Sequence, residues 1–223
     1  MVDLRTNFSR LNGTMKKFTF LSIILAGFML ASFVKDDAEK GLAVGDSALM
    51  TDVVMKGVDG YDYTLKDLSR SKGLLVVFSC NTCPFVVGSD AFKGWEVQYN
   101  QLHKVASSNG IGMVLVNSNE AKRGNDDSMN AMLTRSKDKG YTMPYVVDAN
   151  SALANAFGAK TTPHVYLFDA DMKLIYTGAI DNTVDGKRAS DKNYLTDAIE
   201  AHSKGEKIKE ATTPPRGCSI KRV

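Results

Sequence analysis

The chain has 223 residues and a formal net charge of +3, with 43% hydrophobic and 24% charged residues. That composition suits one folded domain with appendages and excludes wholesale disorder, a collagen-like repeat and a multi-span membrane protein. Three cysteines are too few for a disulfide-stapled scaffold, so each has to be read singly.

Residues 1–35 hold five of the 28 basic residues and one of the 25 acidic ones. The rest is close to neutral, with scattered basic residues, which argues against a nucleic-acid partner. Lys16 and Lys17 precede an apolar run from Phe18 to Val34. A charged segment followed by an apolar one has the form of a secretory signal, and the run also has the length of a short membrane span. A cut after Ala31 would put Met29, which is not small, at the −3 position, so a cleaved signal and a retained anchor both stay open beside a buried core helix. Residues 1–34 are read as signal or anchor, 35–43 as linker, 44–204 as the domain and 205–223 as a polar, extended tail. Either leader reading puts the domain outside the cytoplasm, in the periplasm or cell envelope, with membrane contact only through the leader.

Asp52–Lys56 and Tyr61–Leu65 flank Val58-Asp59-Gly60 and predict a β-hairpin. Leu74–Phe78 is a short apolar run that suits a strand buried on both faces. Cys80-Asn81-Thr82-Cys83-Pro84 follows it, and then Phe92, Trp95, Tyr99, Leu102 and Ala106 recur at helical spacing. Gly88-Ser89-Asp90 bends that helix or divides it, with Ser89 or Asp90 capping the longer piece. A strand is expected at Ile111–Val116, a helix at Ser128–Lys137, a strand at Tyr145–Val147 and a helix at Ser151–Phe157. His164–Phe168 and Leu174–Tyr176 form a hairpin around Asp169-Ala170-Asp171, and a last helix runs from Lys192 to His202. This order describes an α/β sandwich around a central sheet.

Two cysteines three apart, after a buried strand and at a helix start, point to redox chemistry. Helix N–H groups and the helix dipole favour a thiolate on the first, Cys80, and the thiolate is the attacking species in exchange. Cys83, one turn in, can resolve a mixed disulfide on Cys80, and Pro84 donates no N–H in that turn. Structural zinc needs four ligands, and only Cys218, His103, His164 and His202 remain to supply them. A copper site of two cysteines and a histidine would also use such a pair, and so would a structural disulfide, although so short a loop gains little from closure. Thr161-Thr162-Pro163 enters the strand at His164 and reads as a turn device, or, if its prolyl bond is cis, as an exposed backbone edge for a substrate strand.

These motifs together resemble the thioredoxin superfamily. More narrowly they resemble the extracytoplasmic redoxins related to TlpA/ResA-like thiol-disulfide oxidoreductases and to peroxiredoxins of the alkyl hydroperoxide reductase/thiol-specific antioxidant group. The resemblance rests on Cys80-Asn81-Thr82-Cys83-Pro84, Thr162-Pro163, Val44-Gly45-Asp46, Val116-Asn117-Ser118-Asn119 and Gly217-Cys218-Ser219-Ile220-Lys221, and it covers residues 44–221. It implies a thioredoxin-like three-layer α/β/α sandwich with a mixed central sheet and an N-terminal β-hairpin extension. By position it makes Cys80 the nucleophile, Cys83 the resolving thiol and Pro163 the cis-proline, with Thr162, Asn81 and Thr82 contacting substrate. No cofactor or metal is implied beyond the redox-active cysteine pair. The implied partners are a protein disulfide or dithiol substrate and an upstream thiol electron donor.

The buried acid that thioredoxins carry on the strand before the cysteines has no counterpart in Leu74–Phe78, which leaves water or Glu120 for proton transfer. Peroxiredoxins place Thr or Ser three residues before their reactive cysteine and a proline upstream. Here Val77 precedes Cys80, Cys80 precedes Cys83, and no proline lies between Gly73 and Cys83. Disulfide exchange is therefore favoured over peroxide reduction. Pro84, His164 and Cys218 are candidate accessory residues: His164 as a neighbour of Pro163 or a packed strand residue, Cys218 as a third redox partner, a cross-link or a quiet thiol. Trp95 reads as core, and Asp169-Ala170-Asp171 as a turn without the ligands of a calcium loop.

Overall fold

The computed structural model describes residues 41–184, 187–188 and 190–223. The leader lies outside them, and among the described residues no helix is long and apolar enough to cross a membrane. In chain order the elements are β1 (Met55–Gly57), β2 (Asp62–Tyr63), α1 (Leu65–Leu68), β3 (Leu74–Ser79), α2 (Pro84–Val87), a 3₁₀ turn (Trp95–Gln98), α3 (Tyr99–Ser108) and β4 (Gly112–Asn117). They continue with α4 (Met129–Asp138), β5 (Tyr145–Val147), α5 (Ala152–Phe157), β6 (Thr161–Thr162), β7 (His164–Phe168), β8 (Leu174–Gly178), β9 (Thr183–Val184), β10 (Lys187–Arg188), α6 (Tyr194–Ser203) and β11 (Cys218–Ser219).

Seven strands form the central sheet in the order β2-β1-β5-β4-β3-β7-β8. β3 runs parallel to β4, and β4 to β5, while β1, β7 and β8 pair antiparallel with their neighbours. β3 and β4 are buried along their whole length because both sheet faces are covered, which accounts for their continuous apolar runs. Leu75 and Val77 pack on one face with Tyr99, Leu102 and Ala106 of α3 and Leu195, Ala198 and Ile199 of α6. Leu74, Val76 and Phe78 pack on the other with Leu65 of α1 and Leu153, Ala154 and Phe157 of α5. Each leucine, isoleucine, valine and phenylalanine among them contributes about 1.5–3 kcal/mol by leaving water. The result is the thioredoxin-like three-layer sandwich with its N-terminal hairpin.

Differences from the sequence reading are local. The hairpin is shorter than predicted, because Thr64 caps α1 by accepting from Asp67 N–H at 3.1 Å and so ends the second strand. The helical region after the cysteines is divided, as expected, but its first piece is only a single turn, α2. Gly88 ends it with φ +88°, and a Cβ on Gly94 would lie 2.0 Å from the Val86 carbonyl oxygen, so the chain folds tightly back there. Neither Ser89 nor Asp90 caps α3, which grows directly out of the 3₁₀ turn. The Asp169 carboxylate accepts from Asp171 and Lys173 N–H at 3.0 and 2.8 Å, making the turn between β7 and β8.

The largest difference is at the C-terminus, where the segment expected to be an extended tail is docked on the domain. Thr177 N–H donates to Ala211 O, Thr213 N–H to Thr177 O, and the Tyr176 hydroxyl lies 2.8 Å from Thr213 Oγ1. β11 then pairs antiparallel with β6, Cys218 opposite Thr162 and Ser219 opposite Thr161. Ile220 is 5% exposed and packs with the α5 side of the core.

Candidate active site

β3 ends at Ser79 and delivers Cys80 to the carboxyl end of a central strand, the usual place for sites in open α/β sheets. Cys83 is the N-cap residue of α2 and Pro84 its first residue, where a missing N–H costs nothing. The Cys83 N–H donates to Cys80 Sγ at 3.3 Å. The Thr162–Pro163 bond is cis. Thr162 meets both sulfurs: its hydroxyl lies 3.1 Å from Cys80 Sγ, and its carbonyl accepts from Cys83 Sγ at 3.0 Å. From the other side, the Cys218 N–H donates to Cys83 Sγ at 3.2 Å. Both paired cysteines are only 2% exposed, and all three cysteines are free thiols.

Electrostatics divides the pair. The hydrogen bond with Cys83 and then burial push the Cys80 thiol far above the ordinary range, and the Asp127 charge adds to the effect. The same bond, read from the other sulfur, lowers Cys83, against burial and the Cys218 side chain and with help from the Cys218 N–H. The two thiols titrate together, and the bond between them draws the first proton loss toward Cys83. The sequence favours a thiolate on Cys80 through the N–H groups and dipole of the helix that follows, a helix expected to be bent or divided; its first piece, α2, has only four residues, and aligned peptide dipoles sum to little over one turn.

Asn81 and Thr82, expected to face substrate, are turned to a buried acid. Asp127 is fully buried and accepts from Asn81 N–H at 2.7 Å, from the Asn117 and Asn119 side chains at 2.7 and 3.0 Å, and from the Thr82 hydroxyl at 3.5 Å. The Asn81 side chain donates to Asp126 O at 2.8 Å and accepts from the Tyr145 hydroxyl at 3.0 Å. Asp127 thus fixes the loop between the two cysteines from behind. The sequence reading did not single it out. The available signal was Asn117 and Asn119, two amides at the end of a buried strand that need a common acceptor.

Other candidates lie elsewhere. Glu120 accepts from Asn150 N–H at 3.1 Å and pairs with Arg123 at 3.5 Å, so its carboxylate is committed away from the sulfurs. His164 alternates onto the sheet face of Tyr166 and Phe168, opposite the face that packs against the cysteines, with its ring 4.6 Å from that of Tyr166. Lys160 N–H donates to His164 Nδ1 at 3.4 Å, which leaves the proton on Nε2, 3.3 Å from Thr177 Oγ1. His164 is therefore a packed strand residue and not a neighbour of the sulfurs. Among the described residues no group of three His, Cys, Asp or Glu side chains is placed to hold a metal ion. Trp95 is buried, and its Nε1–H donates to Asp181 at 3.0 Å.

A model of the Redoxin family matches residues 43–196. The crystal structure of an uncharacterized conserved protein from Geobacillus kaustophilus is 29% identical with a TM-score of 0.72, over 81% of this chain and 93% of that one. A hypothetical protein from Sinorhizobium meliloti is 30% identical with a TM-score of 0.70, over 82% and 97%. A putative thiol:disulfide interchange protein DsbE from Chlorobium tepidum shares the fold at 23% identity and a TM-score of 0.53, over 73% and 99%. No curated protein matches the chain.

Two outcomes follow from the buried groups. Burial holds His164 at about 4, below its ordinary 6.5, so it stays neutral in the folded state. Because the unfolded chain takes up that proton first, stability should fall as pH drops from about 6.5 towards 4, by up to roughly 3 kcal/mol. Urea unfolding across that range checks this: His164→Gln should flatten the decline, and an unchanged pH slope would contradict it. Asp127→Ala takes the acceptor from the Asn81 N–H and the buried Asn117 and Asn119 amides and should cost about 2–4 kcal/mol. A loss below about 1 kcal/mol in the same measurement would contradict its place at the centre of the network.

Proposed function

The chain belongs to the Redoxin family of thiol-based redox enzymes, and on that premise we propose that it exchanges disulfides with protein partners through Cys80 and Cys83, outside the cytoplasm. The observation that carries this reading is β11 on β6. The backbone edge beside the pair is occupied by an extended segment that carries a cysteine, Cys218, paired opposite Thr162 and hydrogen-bonded to Cys83. A partner strand with a half-cystine on the same edge, once 217–219 gives way, would meet Cys83 in the same way. The basic and apolar leader supports the location.

In this reading Cys83 attacks, in place of the Cys80 expected from sequence. Its thiolate displaces one sulfur of a partner disulfide, forming a Cys83–partner bond while the leaving sulfur departs as thiolate and is protonated by solvent. Cys80 then gives up its proton to solvent and attacks Cys83 Sγ. The Cys80–Cys83 bond forms, the mixed disulfide breaks, and the second partner sulfur leaves. The partner gains two electrons and two protons, and the pair is oxidised to a disulfide; an upstream thiol reverses the sequence. Asp127 positions the loop, and Thr162 holds both sulfurs in line. Peroxide reduction would require donors aimed at the peroxide oxygens. Arg123, on the loop behind the pair, spends its guanidinium on Asp127 O at 2.7 Å and Asn117 O at 2.9 Å.

A paired assay with one reductant separates the readings: reduction of insulin disulfides, and consumption of hydrogen peroxide, each with dithiothreitol. Exchange without peroxide turnover is expected, lost in Cys83→Ser. Fast peroxide turnover, or stoichiometric copper with neither activity, would overturn the proposal. In the double variant Cys80→Ser/Cys218→Ser, mixed disulfides should collect on Cys83. Their collection on Cys80 in Cys83→Ser/Cys218→Ser instead would restore the opposite roles.

A further inference from the structure

The tail contributes more than a covering strand. Gly217 lies so close to β6 that a Cβ would stand 2.0 Å from the Thr162 carbonyl oxygen. Beyond β11, Ile220 N–H donates to Lys160 O at 3.0 Å, Ala121 N–H donates to Lys221 O at 2.9 Å, and Lys221 N–H donates to Asn119 Oδ1 at 2.9 Å. Arg222 reaches Asn155 Oδ1 at 2.7 Å and the Ala159 carbonyl. Asn119 also donates to Asp127, so one amide joins the tail to the acid that fixes the cysteine loop. Between these anchors Cys218 is packed against the cluster that holds Cys80 and Cys83. Its N–H meets Cys83 Sγ, yet its side chain is only partly buried while those of the pair are shut off from solvent.

We propose that Cys218 is a third thiol of the exchange site and carries disulfide equivalents between the buried pair and thiols in solution. The inference rests on the exchange reading above and adds a second entrance to it. Starting from the oxidised pair, the Cys218 thiol loses its proton to solvent and attacks Cys83 Sγ. The Cys83–Cys218 bond forms, the Cys80–Cys83 bond breaks, and Cys80 leaves as a thiolate that takes up a proton. There is no net oxidation; the disulfide moves one residue pair outward. A thiolate of an upstream protein then attacks Cys218 Sγ and releases Cys83. A second thiol of that protein frees Cys218, so the donor leaves as a disulfide and all three cysteines are reduced. The half-reaction with a substrate strand uses the β6 edge with the tail displaced, and the half-reaction with the donor uses Cys218 with the tail docked.

The test maps disulfides in the full chain by differential alkylation and mass spectrometry after oxidation with diamide. Cys80→Ser should yield an intramolecular Cys83–Cys218 disulfide in most of the folded monomer, and Gly217→Ala, which keeps all three cysteines but pushes the tail off β6, should suppress Cys83–Cys218 formation. Cys218→Ser should slow reduction of the oxidised pair by reduced thioredoxin about tenfold, with Cys218→Ala as a second variant should the first misfold. Full alkylation of both Cys83 and Cys218 in oxidised, folded Cys80→Ser, or an unchanged reduction rate in a folded Cys218 variant, would overturn the relay. Should Cys83–Cys218 form while insulin is never reduced, the exchange reading fails and the third thiol stands. Should insulin be reduced while that bond never forms, the relay alone fails.

Discussion

The Cys83 sulfur sits between two backbone groups, the Thr162 carbonyl at 3.0 Å and the Cys218 N–H at 3.2 Å, and the site is organised around that position. Three segments far apart in the chain have to meet there: the end of β3, the entrance to β7 and the C-terminal tail. Each is held by ordinary forces. β3 is fixed by apolar packing on both faces, β6 by its place before β7, and β11 by ladder hydrogen bonds with the Ile220 anchor. A buried polar sulfur needs such partners, since an unsatisfied polar group inside a protein costs free energy comparable to a lost hydrogen bond.

The turn at Gly88 and the tight passage at Gly94 leave only one helical turn behind the pair, so the balance between the two thiols rests on the groups around them: Cys80 Sγ receives the Cys83 N–H and lies beside the Thr162 hydroxyl, and Cys83 Sγ meets the Thr162 carbonyl and the Cys218 N–H. Asp127 adds only a minor upward influence on Cys80, and its main part is to brace the loop between the two cysteines.

The layers were legible because they depend on local pattern. Leu74–Phe78 and Ile111–Val116 read as doubly buried strands, and the spacing of Tyr99, Leu102 and Ala106 read as one helical face. The cysteine pair and Thr162-Pro163 were legible as motifs. What could not be read were contacts between remote segments. No periodicity links Cys218 to Thr162, and a polar tail with Pro214-Pro215 gives no sign that Thr213 and Ile220 are buried. His164 was near the site in sequence but alternates to the opposite face, a distinction that depends on strand register. Asp127 drew no reading because its partners, Asn81, Asn117 and Asn119, come from the cysteine loop and the end of β4.

In the proposed exchange the tail occupies the edge that a partner strand would take. The pair is withheld from solvent, while the edge it faces stays engaged with a strand bearing a cysteine. The proposed exchange depends most on Cys83 being the attacking sulfur. Site-resolved alkylation of the reduced full chain by iodoacetamide, followed against pH, tests this most directly. Cys83 should react ahead of Cys80, with a midpoint below the about 8.5 of an ordinary thiol. Earlier reaction of Cys80, with Cys83 titrating at or above that value, would contradict the assignment.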